Sequence, residues 1–256
     1  SEVGNIERPC AYDIDQDGTI EIIPNTPGGP VRIFKLVKDA DGKGTGKFEE
    51  FIAYDQNSGH GMGFGDVNGN GRPDIILSGG WLEAPENPLG GEWAWHPEFN
   101  LASASVPVLV HDVNGDGLND LIVGQGHDYG LHWWEQKRDG DGNRTWVKHE
   151  IDMERSQYHD MQLVDINNDG KLELVTGKRY RAHSGKDPGG NDPISIYYFE
   201  INDGEFGRQT IDYGDPKEAS GAGIYFWVAD LDGNGWQDIV APGKEGLYLF
   251  RNLGNT

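Results

Sequence analysis

Five short stretches of this chain place oxygen-bearing side chains at positions 1, 3, 5 and 9 and glycine at position 6. The first carries Asp13, Asp15, Asp17 and Glu21 with Gly18, and the second Asp66, Asn68, Asn70 and Asp74 with Gly71. The third has Asp112, Asn114, Asp116 and Asp120 with Gly117. The fourth has Asp165, Asn167, Asp169 and Glu173 with Gly170, and the fifth Asp230, Asp232, Asn234 and Asp238 with Gly235. Alternating oxygens in a tight loop form the ligand set of a hard cation such as Ca²⁺, and glycine permits the sharp turn. Five matches in register exclude coincidence, so about five Ca²⁺ sites are expected. The plainer reading of each, a structural staple with no role in chemistry, is the one adopted.

An EF-hand would need a bidentate Glu at position 12 and a helix on each side. Position 12 here is Pro24, Leu77, Val123, Thr176 and Ala241. Positions 2 and 10 are always aliphatic, as in Ile14 and Ile22 or Val113 and Leu121. The flanks, such as 106–110 and 172–176, are β-rich. Each loop should therefore join two strands. By count of carboxylates, loop 66–74, with two, should bind its ion most weakly, and loop 13–21 has four.

Acidic residues number 43 against 21 basic ones, a formal net charge of −22 over 256 residues. That disfavours nucleic acid and anionic membrane surfaces as partners. Fifteen of the carboxylates belong to the five loops, where bound Ca²⁺ would neutralise them in part. The single cysteine, Cys10, excludes an internal disulfide and reads as a small core residue. No apolar run is long enough to span a membrane. An acidic, Cys-poor, Ca²⁺-dependent chain suits a secreted, extracellular or periplasmic setting. The start at Ser1, without Met or signal peptide, reads as a segment of a longer exported protein. Asn143-Arg-Thr145 is a glycosylation sequon of a kind common by chance.

The first aspartates of the loops stand 53, 46, 53 and 65 residues apart. A fixed period decides the architecture before any single residue does. The third unit shows four strands most clearly, at 106–110, 118–124, 130–136 and 145–151. Short strands separated by Gly, Asn and Asp turns indicate antiparallel structure. Four strands per unit of this length is the size of a propeller blade. The expected fold is all-β, a single propeller domain or segment over 1–256, with blades at about 6–54, 59–100, 104–152, 158–212 and 222–253.

The repeats resemble the FG-GAP/VCBS-type calcium-binding propeller repeats, also found in integrin α chains, over nearly the whole chain. Gly63-Phe64-Gly65-Asp66-Val67 matches the motif that names the family. Trp146-Val-Lys-His149 and Gly246-Leu-Tyr-Leu-Phe250 look like secreted bacterial members. The resemblance implies Ca²⁺ and a propeller, usually seven-bladed, where five repeats are visible. The fifth lacks a fourth strand after Phe250. Either blades are missing upstream, the reading the start at Ser1 favours, or a strand near 2–6 closes a five-bladed ring.

In such a blade the Ca²⁺ loop lies on one face, and the turn between strands two and three lies on the other. His60 and His159 stand at equivalent positions, six residues before a loop's first Asp. Trp81 and Glu83, then His127, Asp128 and Tyr129, then Lys178, Arg179, Tyr180 and His183 follow successive second strands. The connection after Lys178 is long, and long loops on rigid scaffolds carry function. Imidazoles with Asp128 or Glu83 are a ligand set for a transition metal or Zn²⁺. Alternatively His60, His127, Asp128, His159, Arg179 and Tyr180 could abstract a proton beside a carboxylate and stabilise the oxyanion. Trp81, Glu83, Tyr129, Lys178 and His183 would then bind ligand. The resembling propellers include carbohydrate lyases and a sugar dehydratase, so a saccharide is the expected ligand. The alternative is a lectin, adhesion or assembly module bound to an extracellular protein. The plainer readings make His111, His132 and His149 structural hydrogen-bonders, and Trp93, Trp95, Trp133 and Trp134 packing residues.

Overall fold

The computed structural model describes residues 4–56 and 58–254. The chain divides into two compact units, with the boundary between Ala102 and Ser103. In the first unit β1 (Arg8–Tyr12), β2 (Glu21–Asn25), β3 (Val31–Lys38) and β4 (Gly44–Tyr54) lie side by side in sequence order. β5 (Met62–Gly65), β6 (Asp74–Leu77), β7 (Gly80–Glu83) and β8 (Ala94–His96) repeat the pattern. The second unit holds β9 (Val108–His111), β10 (Asp120–Gly124), β11 (Tyr129–Arg138) and β12 (Arg144–Ser156). β13 (Tyr158–Val164), β14 (Glu173–Lys178), β15 (Ile194–Asn202) and β16 (Glu205–Gly214) follow, then β17 (Trp227–Ala229), β18 (Asp238–Gly243) and β19 (Gly246–Phe250). Successive strands in each set pair antiparallel. The protein is all-β; a 3₁₀ turn, Ala182–Gly185, is the one helical element among the described residues. The strand considered near 2–6 lies partly outside the described residues.

Each acidic loop joins the first and second strands of its set, and one hydrogen-bond scheme recurs in all five. The position-9 carboxylate is buried in every loop (Glu21, Asp74, Asp120, Glu173, Asp238). Its oxygen accepts the position-2 amide of Ile14, Val67, Val113, Ile166 or Leu231 at 2.8–3.1 Å. The position-1 Asp accepts the amide of the position-6 glycine, at 2.7–3.0 Å. That glycine has φ between 83° and 86° in all five copies. A Cβ there would meet nothing within 4 Å, so backbone conformation, not space, selects glycine. Position 4 is left-handed too, at Gln16, Gly69, Gly115, Asn168 and Gly233.

The aliphatic position-2 residues carry the loops into the core. Ile14, Val67, Val113 and Ile166 are buried, whereas Leu231, in the three-stranded set, is 54% exposed. In the second unit Val113, Ile122, Leu131 and Trp133 pack against Tyr158, Leu174, Tyr197 and Phe199. A second cluster joins Ile166, Val175 and Ile196 to Phe226, Ile239 and Ala241. Trp81 and Trp133 are buried under stacked His96 and His149, with ring centroids 4.3 and 4.4 Å apart. Cys10 is only half-buried, at a partly covered β1 position.

His132 departs from the hydrogen-bonding role expected of it. It is 2% exposed and neither ring nitrogen has a partner, so it fills space as a neutral ring. Burial lowers its pKa from 6.5 to about 4, with a smaller push from the Lys148 charge. The folded state holds this ring neutral while the unfolded chain takes up the proton near pH 6.5. Stability is therefore fully present above pH 6.5 and is lost as pH falls through 4, by up to roughly 3 kcal/mol. Denaturant titrations between pH 7 and 4 should show this loss, and His132→Met should flatten it. Asp120 accepts the Val113 amide at 3.1 Å and the Gln136 amide at 2.7 Å from a buried position. Asp120→Ala should cost about 2–4 kcal/mol even in chelator, because two amides lose their acceptor.

Candidate functional site

In the second unit β14 ends at Lys178, and residues 179–193 form a long connection to β15. Three non-glycine residues within it are left-handed: Arg181 (φ 46°), His183 (46°) and Ser184 (63°). Such conformations cost energy and cluster at functional sites. The segment is tied down by Arg181 N–H donating to Gly190 O (3.0 Å) and Asn191 Nδ2 to Gly185 O (3.2 Å). Lys244 Nζ, from the β18–β19 turn, donates to Arg181 O at 2.8 Å.

This connection delivers Asp187 to two imidazoles. Asp187 Oδ2 is 2.9 Å from His127 Nδ1, and Oδ1 is 2.9 Å from His183 Nδ1. The two rings stack, with centroids 4.7 Å apart and planes 11° apart. The Asp187 carboxylate accepts from His183 where that ring carries its proton on Nδ1, which leaves Nε2 as its proton acceptor, while His127 Nδ1 stands between Asp187 and the Arg179 guanidinium. Burial acts to raise the Asp187 pKa, but hydrogen bonds from His127 and His183 outweigh it and hold the carboxyl below its ordinary value. Arg179 donates through Nη2 to Gly126 O at 2.8 Å and lies 3.8 Å from Asp187 Oδ2. His159 meets the His127 ring edge-on at 5.9 Å.

Beside this cluster opens a cleft of about 490 Å³, lined by Arg179, Tyr180, His183, Ile224, Tyr225 and Lys244 among others. Within a chain of net charge −22, it gathers a guanidinium, an ammonium and an imidazole around two phenol rings. His127, His183 and Asp187 offer donor atoms within 4.8 Å of one another, close enough for a transition metal. Arg179 Nη2, however, lies 2.9 Å from His127 Nδ1, and its fixed positive charge opposes a dication there.

Of the residues expected to converge, His127, His159, Arg179 and His183 do so, and Tyr180 lines the adjoining cleft. Asp128 is a turn residue whose Oδ1 accepts the Tyr129 amide, and the Tyr129 hydroxyl donates to Asp192. Lys178 is buried, donates to Arg179 O, and has its pKa lowered to about 8, chiefly by burial. Trp81 and Glu83 stand elsewhere. The β6–β7 turn is only Ser78-Gly79, so both residues fall within strand β7 and its far end returns to the acidic loop. Trp81 is wholly buried, and Glu83 accepts from Asn68 of the second loop at 2.9 Å. His60, in the first unit, lies 3.4 Å from Glu7. Asp187 was not anticipated; its signal was a carboxylate at i+4 from His183 in the longest connection.

Two of the acidic loops bring three carboxylates together. Carboxylate oxygens of Asp13, Asp15 and Asp17, and of Asp230, Asp232 and Asp238, lie within 4.8 Å of one another. The first group already surrounds an ammonium: Lys35 Nζ is 2.6 Å from Asp15 Oδ2, 2.7 Å from Asp17 Oδ2 and 3.2 Å from Glu21 Oε1.

Residues 112–176, which span the third loop to the fourth, match the model of an FG-GAP-like repeat. Integrin alpha-PS3 of Drosophila melanogaster is 28% identical over 166 residues, which is 56% of this chain and 14% of the integrin. Among solved structures, an Agrocybe aegerita lectin that recognises non-reducing terminal N-acetylglucosamine superposes with a TM-score of 0.54 at 18% identity, covering 97% of this chain and 63% of the lectin. The V. cholerae biofilm matrix protein Bap1 gives a TM-score of 0.39 at 19% identity, over 86% of this chain and 30% of that one. The chain thus spans less than two thirds of these relatives. No helix among the described residues is long and apolar enough to cross a membrane. The chain carries an FG-GAP-like repeat, the repeat its acidic loops and Gly63-Phe64-Gly65 implied.

Proposed function

We propose that this protein is an exported, calcium-stapled β-propeller that binds acidic saccharide in the cleft at Arg179, Tyr180, His183, Tyr225 and Lys244. The observation that carries the reading is the pairing of phenol rings with fixed cations on an otherwise strongly acidic chain. Aromatic faces stack on the apolar face of a sugar ring, and a guanidinium fork matches a carboxylate. The lectin of similar fold supports a sugar as the ligand class. Successive antiparallel meanders, each with an acidic loop between its first and second strands, support the propeller, and the recurring oxygen positions of those loops support the Ca²⁺.

Titration calorimetry with uronic-acid oligosaccharides and their neutral, carboxyl-reduced counterparts tests this. The acidic forms should bind, and Arg179→Lys and Tyr225→Ala should each weaken binding about tenfold, near 1.4 kcal/mol. Equal affinity for neutral and acidic forms would sink the acidic assignment, and no binding of either would sink the saccharide. Chelation should lower Tm by on the order of 5–10 °C, restored by Ca²⁺; an unchanged Tm would remove the staple role.

A second reading, elimination chemistry, is favoured by the Asp187 bridge. His183 Nε2, oriented through Nδ1, would take the proton beside the sugar carboxylate while Arg179 holds the resulting enolate charge. The electron pair then forms the double bond and expels the β-oxygen. An ultraviolet-absorbing unsaturated product, lost in Asp187→Asn with kcat falling more than KM, would establish it; its absence leaves a binding module.

A further inference from the structure

The strand register places one residue opposite position 9 of every acidic loop, and its charge differs between loops. One step outward from the pairs Ile22–Phe34, Ile75–Leu82, Leu121–Trp134, Leu174–Phe199 and Ile239–Phe250 stand Lys35, Glu83, Glu135, Glu200 and Arg251. Three are carboxylates and two are cations.

The cations engage the loop oxygens directly. Lys35 Nζ reaches oxygens from positions 3, 5 and 9 of loop 13–21 at 2.6, 2.7 and 3.2 Å. Arg251 pairs with Asp232, at position 3 of loop 230–238. The carboxylates act differently. Glu83 and Glu135 accept from the side-chain amides of Asn68 and Asn114 at 2.9 and 3.1 Å, turning each position-3 oxygen inward. His96 and His149 donate to the same two glutamates at 3.0 and 2.8 Å and fix their orientation.

We propose that loops 13–21 and 230–238 are closed by the side-chain cations Lys35 and Arg251 in place of a metal ion. Only loops 66–74, 112–120 and 165–173 then take Ca²⁺. This rests on the calcium reading above and reverses the order expected from carboxylate count. Loop 13–21 is rich in carboxylates because it wraps an ammonium with three short contacts. Loop 66–74 is poor in them because Glu83 supplies charge from the neighbouring strand. A dication entering loop 13–21 would have to break all three Lys35 contacts and expel a like charge.

Equilibrium dialysis of the chelator-stripped full chain against Ca²⁺ counts the ions. The wild type should hold no more than three per chain. Lys35→Gln and Arg251→Gln should each add one, and Lys35→Arg should add none. Four or more ions in the wild type overturn the proposal while leaving the calcium reading intact. An unchanged count in either folded Gln variant, checked by circular dichroism, overturns the assignment of that loop. No ion in any variant overturns the calcium reading and this proposal with it. The Arg251 side chain is 55% exposed, so that variant tests the idea even if Lys35→Gln fails to fold.

Discussion

The buried carboxylate at position 9 is the constraint from which the rest of the molecule follows. A carboxylate removed from water needs hydrogen-bond donors, and each of these finds the amide of position 2 across the turn. Asp74, Asp120 and Asp238 take a second amide from the third strand or just beyond it, those of Ala84, Gln136 and Asn252. One side chain thereby ties three consecutive segments together. In the second, third and fourth loops the register this sets puts the aliphatic residues at positions 2 and 10 into the core, because a slip of one residue would turn every side chain to the other face.

The same register distributes charge. Four of the residues opposite position 9 reach their loop's side chains, so Lys35 and Arg251 neutralise there and Glu83 and Glu135 reinforce. Glu83 and Glu135 extend the loop chemistry outward to His96 and His149, whose rings lie on Trp81 and Trp133. Core packing and loop polarity are thus one connected system in these two sets. The cleft at Arg179 and Lys244 stands apart in character, since it collects positive charge and aromatic rings on a chain of opposite sign.

How much was legible in the sequence depended on whether the signal was local. The strands around each loop were readable from alternating aliphatic residues and turn residues, and β9 to β12 lie within a few residues of their expected places. His127, Arg179 and His183 were readable as a group because each directly follows a second strand or lies in the long connection after one. Asp187 was not, since its approach to two imidazoles depends on a left-handed backbone at three residues without glycine. Trp81 and Glu83 depart from their expected place because a two-residue turn moves them from a loop into a strand. His132 is buried with no partner for either nitrogen, an outcome that no spacing rule reports.

By itself the sequence determined the repeat, the turn chemistry of the five loops, and the all-β class, because these rest on alternation and on residues that few other conformations accept. Only the tertiary structure decided what faces each loop. A cross-strand neighbour lies 9 to 27 residues away in the chain, and its contact depends on register, not on local pattern. That distance is why the five loops read alike as a sequence, and why Lys35, Glu83, Glu135, Glu200 and Arg251 make them unlike in the folded protein.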